Sequence, residues 1–193
     1  MRRGRLAAVV VAAVLLLGGC ATGEQDPRAV GQEFTFVAPG GQTTILYDPP
    51  ESRGSVSGIS GESLLRPGES VGLEDYPGQV VVLNIWGAWC GPCREEVPDL
   101  QAVQDATEGV AVLGVDVRDS REAAADFLRD RGITYDSIFD FAGRSLIPLS
   151  GYPRNTTPST IVFDKEHRVA AVYLTQVRPS ELGPVVQRLV SEP

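Results

Sequence analysis

The sequence predicts an α/β fold, one domain built on a central mixed β-sheet flanked by helices, and three features carry that expectation. Two continuous apolar runs rich in Val and Ile, Val80 to Trp86 and Val110 to Val117, have the length and boundaries of strands buried on both faces. Helical segments follow each of them, and the crossover between the runs is long enough to make them parallel. Near the C-terminus, Ile161 to Phe163 and Val169 to Leu174 bracket the polar turn Asp164 to Arg168, which reads as a β-hairpin.

The elements follow in order along the chain. Arg2, Arg3 and Arg5 precede an uncharged apolar run, Leu6 to Leu17, too short to span a bilayer comfortably. Residues 1–19 therefore read as a targeting segment. The run ends in Leu17-Gly18-Gly19-Cys20, which resembles the bacterial lipobox, whose cysteine is acylated through its sulfur and becomes the new N-terminus. That resemblance implies lipidation of Cys20 and a lipid-anchored protein on the outer face of the bacterial cytoplasmic membrane. The alternative is an ordinary signal peptide cleaved nearby, which leaves Cys20 as an odd thiol in an oxidising compartment. Residues 20–32 are small, polar and Pro-containing, as a flexible tether requires.

Residues 33–193 are expected to form the folded body. From Phe34 to Gln79, short β-like runs (Phe34 to Val37, Thr43 to Tyr47) alternate with Gly, Pro and Ser, suggesting an N-terminal hairpin extension beside the main sheet. After the strand Val80 to Trp86 comes a helix from about Pro92 to Thr107. The second strand is followed by a helix over Arg121 to Arg131, N-capped by Ser120 and stopped at Gly132. An amphipathic helix, Pro179 to Val190, closes the chain. The order β-α-β-α-β-β-α predicts helices on both faces of the sheet.

Composition narrows the function classes. The chain carries 17 basic and 25 acidic residues; without residues 1–19 the basic count is 14 and the net charge −11. Such a surface does not seek nucleic acid or anionic headgroups, so membrane attachment rests on acyl chains.

Trp89-Cys90-Gly91-Pro92-Cys93 stands where the first buried strand meets the first helix. A cysteine at a helix N-terminus faces unpaired backbone N–H groups and the positive end of the macrodipole, and both favour thiolate. Cys90 is therefore the expected exposed nucleophile. Cys93, one turn on, is the expected sheltered resolving thiol, and Pro92 fits a first turn that has no N–H bond to lose. A zinc site would need a second pair of ligands, but only Cys20 and His167 remain. A purely structural disulfide over so short a loop restrains little of the unfolded chain. Haem attachment would require His where Arg94 stands. Of the two tryptophans, Trp86 ends a buried strand and reads as core, whereas Trp89 abuts the nucleophile. His167 reads as a solvated turn residue.

The segment Val81-Val82-Leu83-Asn84-Ile85-Trp86-Gly87-Ala88-Trp89-Cys90-Gly91-Pro92-Cys93-Arg94-Glu95-Glu96-Val97-Pro98 resembles the active site of the TlpA/ResA-like thioredoxins. The resemblance covers about Gln79 to Val190. It implies a thioredoxin fold and an extracytoplasmic thiol-disulfide oxidoreductase with no dissolved cofactor and no metal. It also implies a cis Pro158 in Thr156-Thr157-Pro158-Ser159, facing the Cys90 sulfur. Substrate would then be met by Trp89, Gly91, Pro92, Thr157 and Pro158, and the kink of the first active-site helix falls at Pro98.

Asn84 stands where cytoplasmic thioredoxins have a buried Asp, and Glu96 matches the family's Glu three residues after the second cysteine. Glu96 is thus either a proton-transfer group for the resolving thiol or, like Glu95, a solvated first-turn residue. By resemblance the reductant comes from a CcdA/DsbD-like membrane thiol donor. The phrase Phe34 to Gly41 through Tyr47-Asp48-Pro49-Pro50 is similar to actinobacterial lipoproteins of the CcsX kind, which implies apocytochrome c or haem-ligation components as substrates.

Rival readings are a general secretory thiol oxidase on the same fold and a copper-binding assembly chaperone, which would want wider cysteine spacing and a histidine near the proline loop. A peroxidase of the peroxiredoxin kind would want a lone Cys preceded by Thr or Ser in a Pro-rich loop. In Ser145 to Asn155, Pro148 and Pro153 interrupt what in many relatives is a short helix.

Overall fold

The computed structural model describes residues 32–193. The targeting segment 1–19, Cys20 and all but the last residue of the tether lie outside the described residues. The strands are β1 (Thr44–Leu46), β2 (Ser60–Glu62), β3 (Ser70–Gly72), β4 (Val80–Trp86), β5 (Val110–Asp116), β6 (Asp136–Phe139), β7 (Ser159–Phe163) and β8 (Val169–Tyr173). The helices are α1 (Gly91–Ala106), α2 (Arg121–Asp130) and α3 (Pro179–Ser191).

Six strands form one mixed sheet in the order β1-β8-β7-β4-β5-β6. β4 runs parallel to β5 and antiparallel to β7, and β5 runs parallel to β6. Every residue of β4 and β5 is buried, as their uninterrupted apolar sequences require of central strands. β1 completes the sheet by pairing antiparallel with β8, so the run Thr43 to Tyr47 is a strand of the main sheet. The separate hairpin is β2–β3, tied to the sheet edge by a bridge from Ser63 to Ile138. The run Phe34 to Val37 makes isolated bridges instead of a strand, at Thr35 and from its neighbour Glu33.

Two corrections to the sequence reading concern the sheet's edge and its covering. β6 is a fifth core strand that the expected order lacked. Its four residues, Asp136-Ser137-Ile138-Phe139, are too few to register as a periodic run, and it exists by parallel pairing with β5. The helices also do not divide between the faces. Val97 and Leu100 of α1, Phe127 and Leu128 of α2, and Leu182 and Val186 of α3 all join one core cluster with Val80, Val82 and Trp86. The alternate residues Val81, Leu83 and Ile85 face a second cluster built from Phe34, Ile59, Leu73, Leu146, Leu149 and Tyr152. Irregular chain thus covers the face where a helix was expected. Between Arg144 and Tyr152 only a single 3-10 turn, Arg144–Leu146, forms before Pro148, as expected where prolines withhold N–H donors.

Local signals set the helix ends. Cys90 and Ser120 cap α1 and α2 through side-chain acceptors, Cys93 N to Cys90 Sγ at 3.3 Å and Ala123 N to Ser120 Oγ at 3.2 Å. Pro98 is accommodated inside α1, which stays continuous across it. His167 is not simply solvated: it is half-buried, sits at φ 56° and places Nε2 3.1 Å from the Tyr76 carbonyl oxygen.

A buried ion cluster locks the N-terminal extension onto the sheet. The Arg53 side chain has no exposed surface, and its guanidinium reaches Asp164 at 3.1 Å, Glu192 at 2.6 Å and Asp48 at 3.2 Å. Its Nε also donates to the Tyr47 carbonyl at 3.2 Å. Asp164 takes a second arginine, Arg168, at 2.8 Å, and Arg188 joins Asp48 at 2.7 Å. One side chain thereby connects the extension, the β7–β8 turn and the residue that ends α3.

Candidate active site

The chain leaves the buried end of β4 and enters α1 through Gly87-Ala88-Trp89. Trp86 is wholly buried and donates from Nε1 to Ser137 Oγ at 3.0 Å. Trp89 folds back over Gly87, where a Cβ would lie 2.4 Å from the indole nitrogen. Glycine is therefore needed for Trp89 Nε1 to donate to the Val117 carbonyl at 3.0 Å. Trp89 remains 51% exposed. Arg118 lies over its ring, 4.8 Å from the centroid.

Cys90 and Cys93 are joined in a disulfide with a Cα–Cα distance of 5.2 Å. The expectation of an exposed Cys90 is corrected: it is 5% exposed and Cys93 0%. Its sulfur caps α1 and so points at the amides of the first turn. The accessible rim of the motif is instead made by Trp89, Gly91 and Pro92, which are all exposed.

The proline loop arrives from the neighbouring strand. The Thr157–Pro158 bond is cis, as the resemblance implied; so is Asp48–Pro49, which the sequence did not announce. Antiparallel pairing sets Ser159 opposite Ile85, so Pro158 stands at the end of the sheet from which β4 runs into the cysteine motif. Arg118 spans the two parts, lying over Trp89 and donating from Nη2 to Thr157 Oγ1 at 2.8 Å.

Glu96 is not a solvated residue. It is fully buried, one turn beyond Cys93, whereas Glu95 is exposed. Its Oε1 accepts from Val177 N at 2.9 Å and Thr160 Oγ1 at 3.2 Å, and its Oε2 accepts from Asn84 Nδ2 at 3.1 Å. Asn84 and Thr160 are direct cross-strand partners, joined at 3.1 Å. Burial pushes the Glu96 carboxyl up to about 7 despite these three donors, and Asp99 adds to the rise. A carboxyl so placed exchanges protons near neutrality.

A second buried carboxyl lies on the other flank. Asp116 ends β5 opposite Trp86, has no exposed surface, and neither of its oxygens meets a donor. Burial pushes it up to about 8, with Asp119 beside it adding to the rise and Arg121 opposing it. Asp119 in turn accepts the Ala88 N–H at 2.6 Å, holding the approach to the cysteines. A protonated Asp116 carries no charge to be solvated and has a hydrogen to give to Asp119.

The linkage has a definite sign. An acid whose folded pKa lies above its ordinary value binds its proton more tightly when native, so its stabilisation is complete below about pH 4 and is lost as pH rises through about 8. Asp116→Asn keeps a donor without a charge. It is expected to match the parent within about 0.5 kcal/mol at pH 5 and to exceed it by about 4 kcal/mol at pH 9. Urea unfolding at the two pH values checks this, and a variant no more stable at pH 9 contradicts it.

Among the described residues, no group of three or more His, Cys, Asp or Glu side chains could hold a metal ion. No helix there is long and apolar enough to cross a membrane.

A family model described as AhpC/TSA matches residues 62–172, more than half of the chain. The chain belongs to the AhpC/TSA family. Among curated relatives, the thiol:disulfide interchange protein DsbE of Pseudomonas aeruginosa is 31% identical over 136 residues, 68% of this chain and 73% of the relative. The thiol-disulfide oxidoreductase ResA of Bacillus subtilis is 28% identical, over 59% of this chain and 70% of that one.

Solved structures agree. A secreted thiol-disulfide isomerase from Corynebacterium glutamicum is 42% identical with a TM-score of 0.80, over 84% of this chain and all of that one. A DsbF homologue from Corynebacterium diphtheriae is 46% identical with a TM-score of 0.77, over 82% of this chain and all of that one. This AhpC/TSA member is a thiol-disulfide oxidoreductase of the DsbE and ResA type on a thioredoxin fold.

Sequence reasoning missed several contributors to the site. Asn84 stands out in the sequence only as the replacement of a buried Asp of cytoplasmic thioredoxins, and Thr160, Arg118, Asp116 and Asp119 do not stand out at all. The Asn84 signal was available: a lone amide in an otherwise apolar strand, on the helix-facing side, must find a partner.

Proposed function

We propose that this AhpC/TSA member is a lipid-anchored extracytoplasmic reductant that opens disulfides of apocytochrome c or of haem-ligation components during cytochrome c maturation. Cys90 attacks the substrate disulfide, one substrate sulfur leaves as thiolate, and a mixed disulfide forms. Cys93 then attacks the Cys90 sulfur and expels the second substrate sulfur as thiolate, so that the pair ends oxidised and the substrate reduced. Residues around the motif, Trp89, Gly91, Pro92, Thr157 and Pro158, receive the substrate chain. A CcdA/DsbD-like membrane thiol donor returns two electrons to the Cys90–Cys93 pair. Acylated Cys20 keeps the domain near both partners, raising their effective concentration.

The observation that carries the thiol-exchange chemistry of this reading is Glu96, fully buried one turn from Cys93 with its carboxyl pushed up to about 7 by burial. The resolving thiol must lose a proton in a site closed to water, and Glu96 accepts it there. Glu96→Gln is expected to remove the limb near pH 7 from the pH dependence of disulfide reduction and to slow the reaction about 10- to 100-fold. The melting temperature should change little. A stopped-flow pH series checks this, and superimposable profiles would return Glu96 to a structural role.

The substrate is tested with an oxidised Cys-x-x-Cys-His peptide and the reduced protein. Fast reduction of the peptide, together with loss of haem attachment in a deletion strain, is expected. Normal haem attachment in that strain overturns the cytochrome reading. A second reading, general thiol-disulfide exchange on secreted proteins, is favoured by the likeness to the secreted isomerase of Corynebacterium glutamicum. It predicts broad defects in secreted disulfide proteins instead.

A further inference from the structure

Beside the cysteine motif, a cavity of about 450 Å³ opens between the end of β5 and the chain leading to the cis-proline. Arg118 and Arg154 border it, with Phe141, Tyr152, Pro153 and Asn155 among the other walls, and no carboxylate lines it. In a chain with a net charge of −8 that is an uncommon local balance. Neither arginine forms an ion pair among the described residues, a condition shared with Arg94, Arg131, Arg144 and Arg178, but only Arg118 and Arg154 border this cavity. Of the acids next to lining residues in sequence, Asp116 is fully buried and Asp140 is bound by Ser145, while Asp119 is bound by the N–H groups of Ala88 and Ser120.

The wall is also built to hold its shape. Arg118 sits in the left-handed region at φ 54°, which a non-glycine residue adopts only where its surroundings enforce it. Its N–H is held by the Phe141 carbonyl at 3.2 Å, and the preceding carbonyl, Val117, receives the Trp89 indole. The side chain then lies over Trp89 and reaches Thr157 at 2.8 Å and the Asn155 carbonyl at 3.4 Å. A guanidinium carries five N–H donors in a planar fork, so these contacts leave donors free. Phe141, 63% exposed, offers an apolar flank next to them.

We propose that this cavity receives a side-chain carboxylate of the polypeptide whose disulfide is exchanged, and so selects substrates with Asp or Glu near the target cysteine. A carboxylate matches the arginine fork in charge and geometry. Arg118 touches both Trp89, the neighbour of Cys90, and Thr157, the neighbour of Pro158. An extended substrate lying between Trp89 and Thr157 passes Arg118, so an acid a few residues from its cysteine meets the cavity. The inference rests on the protein-disulfide reductase reading and adds a substrate preference to it.

The test uses the full-length protein, reduced at Cys90 and Cys93, and two disulfide peptides that differ only in Glu or Gln three residues from the cysteine. The Glu peptide is expected to show about a tenfold higher kcat/KM at low salt, the difference lying in KM. Arg154→Gln and Arg118→Gln should each bring the ratio below about threefold, as should 0.5 M salt in the parent protein. Equal kcat/KM for the two peptides in the parent overturns the inference and leaves the reductase reading standing. So does a preference that survives both substitutions. Reduction of neither peptide overturns the reductase reading and the inference with it.

Discussion

Cys93→Ala is expected to turn the protein into a trap, lowering multiple-turnover disulfide reduction at least about a thousandfold while mixed disulfides to Cys90 accumulate. The division of labour follows from the position of the two sulfurs on α1. Cys90 Sγ lies at the helix N-terminus, within 3.3 Å of a backbone N–H, where thiolate is favoured. Cys93 is fully enclosed, with 0% exposure against 5% for Cys90. Removing Cys93 thus spares the attack and abolishes the release. Cys90→Ser, by the same logic, forms no adduct at all. Non-reducing gels of whole-cell extracts from the two strains, with mass spectrometry of the bands, check both halves. Abundant adducts in the Cys90→Ser strain would mean that the roles are exchanged.

Arg53→Met is expected to destabilise the domain by about 3–5 kcal/mol, because it leaves Asp164 buried with one arginine fewer and strips Glu192 of its closest partner. For a domain of this size that corresponds to a fall in melting temperature of about 10 °C. Methionine keeps most of the side-chain bulk, so the loss reports the charge. Arg66→Met supplies the contrast. Its pairs with Glu69 and Asp136 are exposed or half-exposed, and the expected cost is below about 1 kcal/mol. Thermal unfolding of the two variants side by side decides. Equal melting temperatures would show that the cluster does not anchor the extension.

Which parts of this architecture were legible follows from what each part depends on. β4, β5 and the capped helices α1 and α2 carry their instructions locally, in apolar runs, in Ser120 and Cys90 as caps, and in glycine stops. They stand where the sequence places them, give or take a residue. β6 has no such local signal and exists because β5 offers it an edge. The gathering of all three helices on one face depends on a long-range choice: residues 34–76 and the proline-broken stretch before Thr156 cover the other face. Nothing in the sequence around Arg53 marks it for burial, because its three carboxylate partners lie up to 139 residues away.

At the site, the cysteines and Pro158 were readable because their spacing and position are the chemistry. The Glu96 environment was only half readable. The sequence put Glu96 one turn from Cys93, but its donors Thr160 and Val177 come from β7 and from the segment before α3.

The central claim is that this AhpC/TSA member works as a reductant, and the redox state of the Cys90–Cys93 pair in growing cells tests it most directly. Acid quenching followed by alkylation with a mass-tagged maleimide separates the dithiol from the disulfide. The account predicts that most of the pool carries two tags at these positions, shifting to the untagged disulfide when the proposed CcdA/DsbD-like donor is deleted. A pool that is fully disulfide-bonded in the parent strain, and unmoved by that deletion, would contradict it.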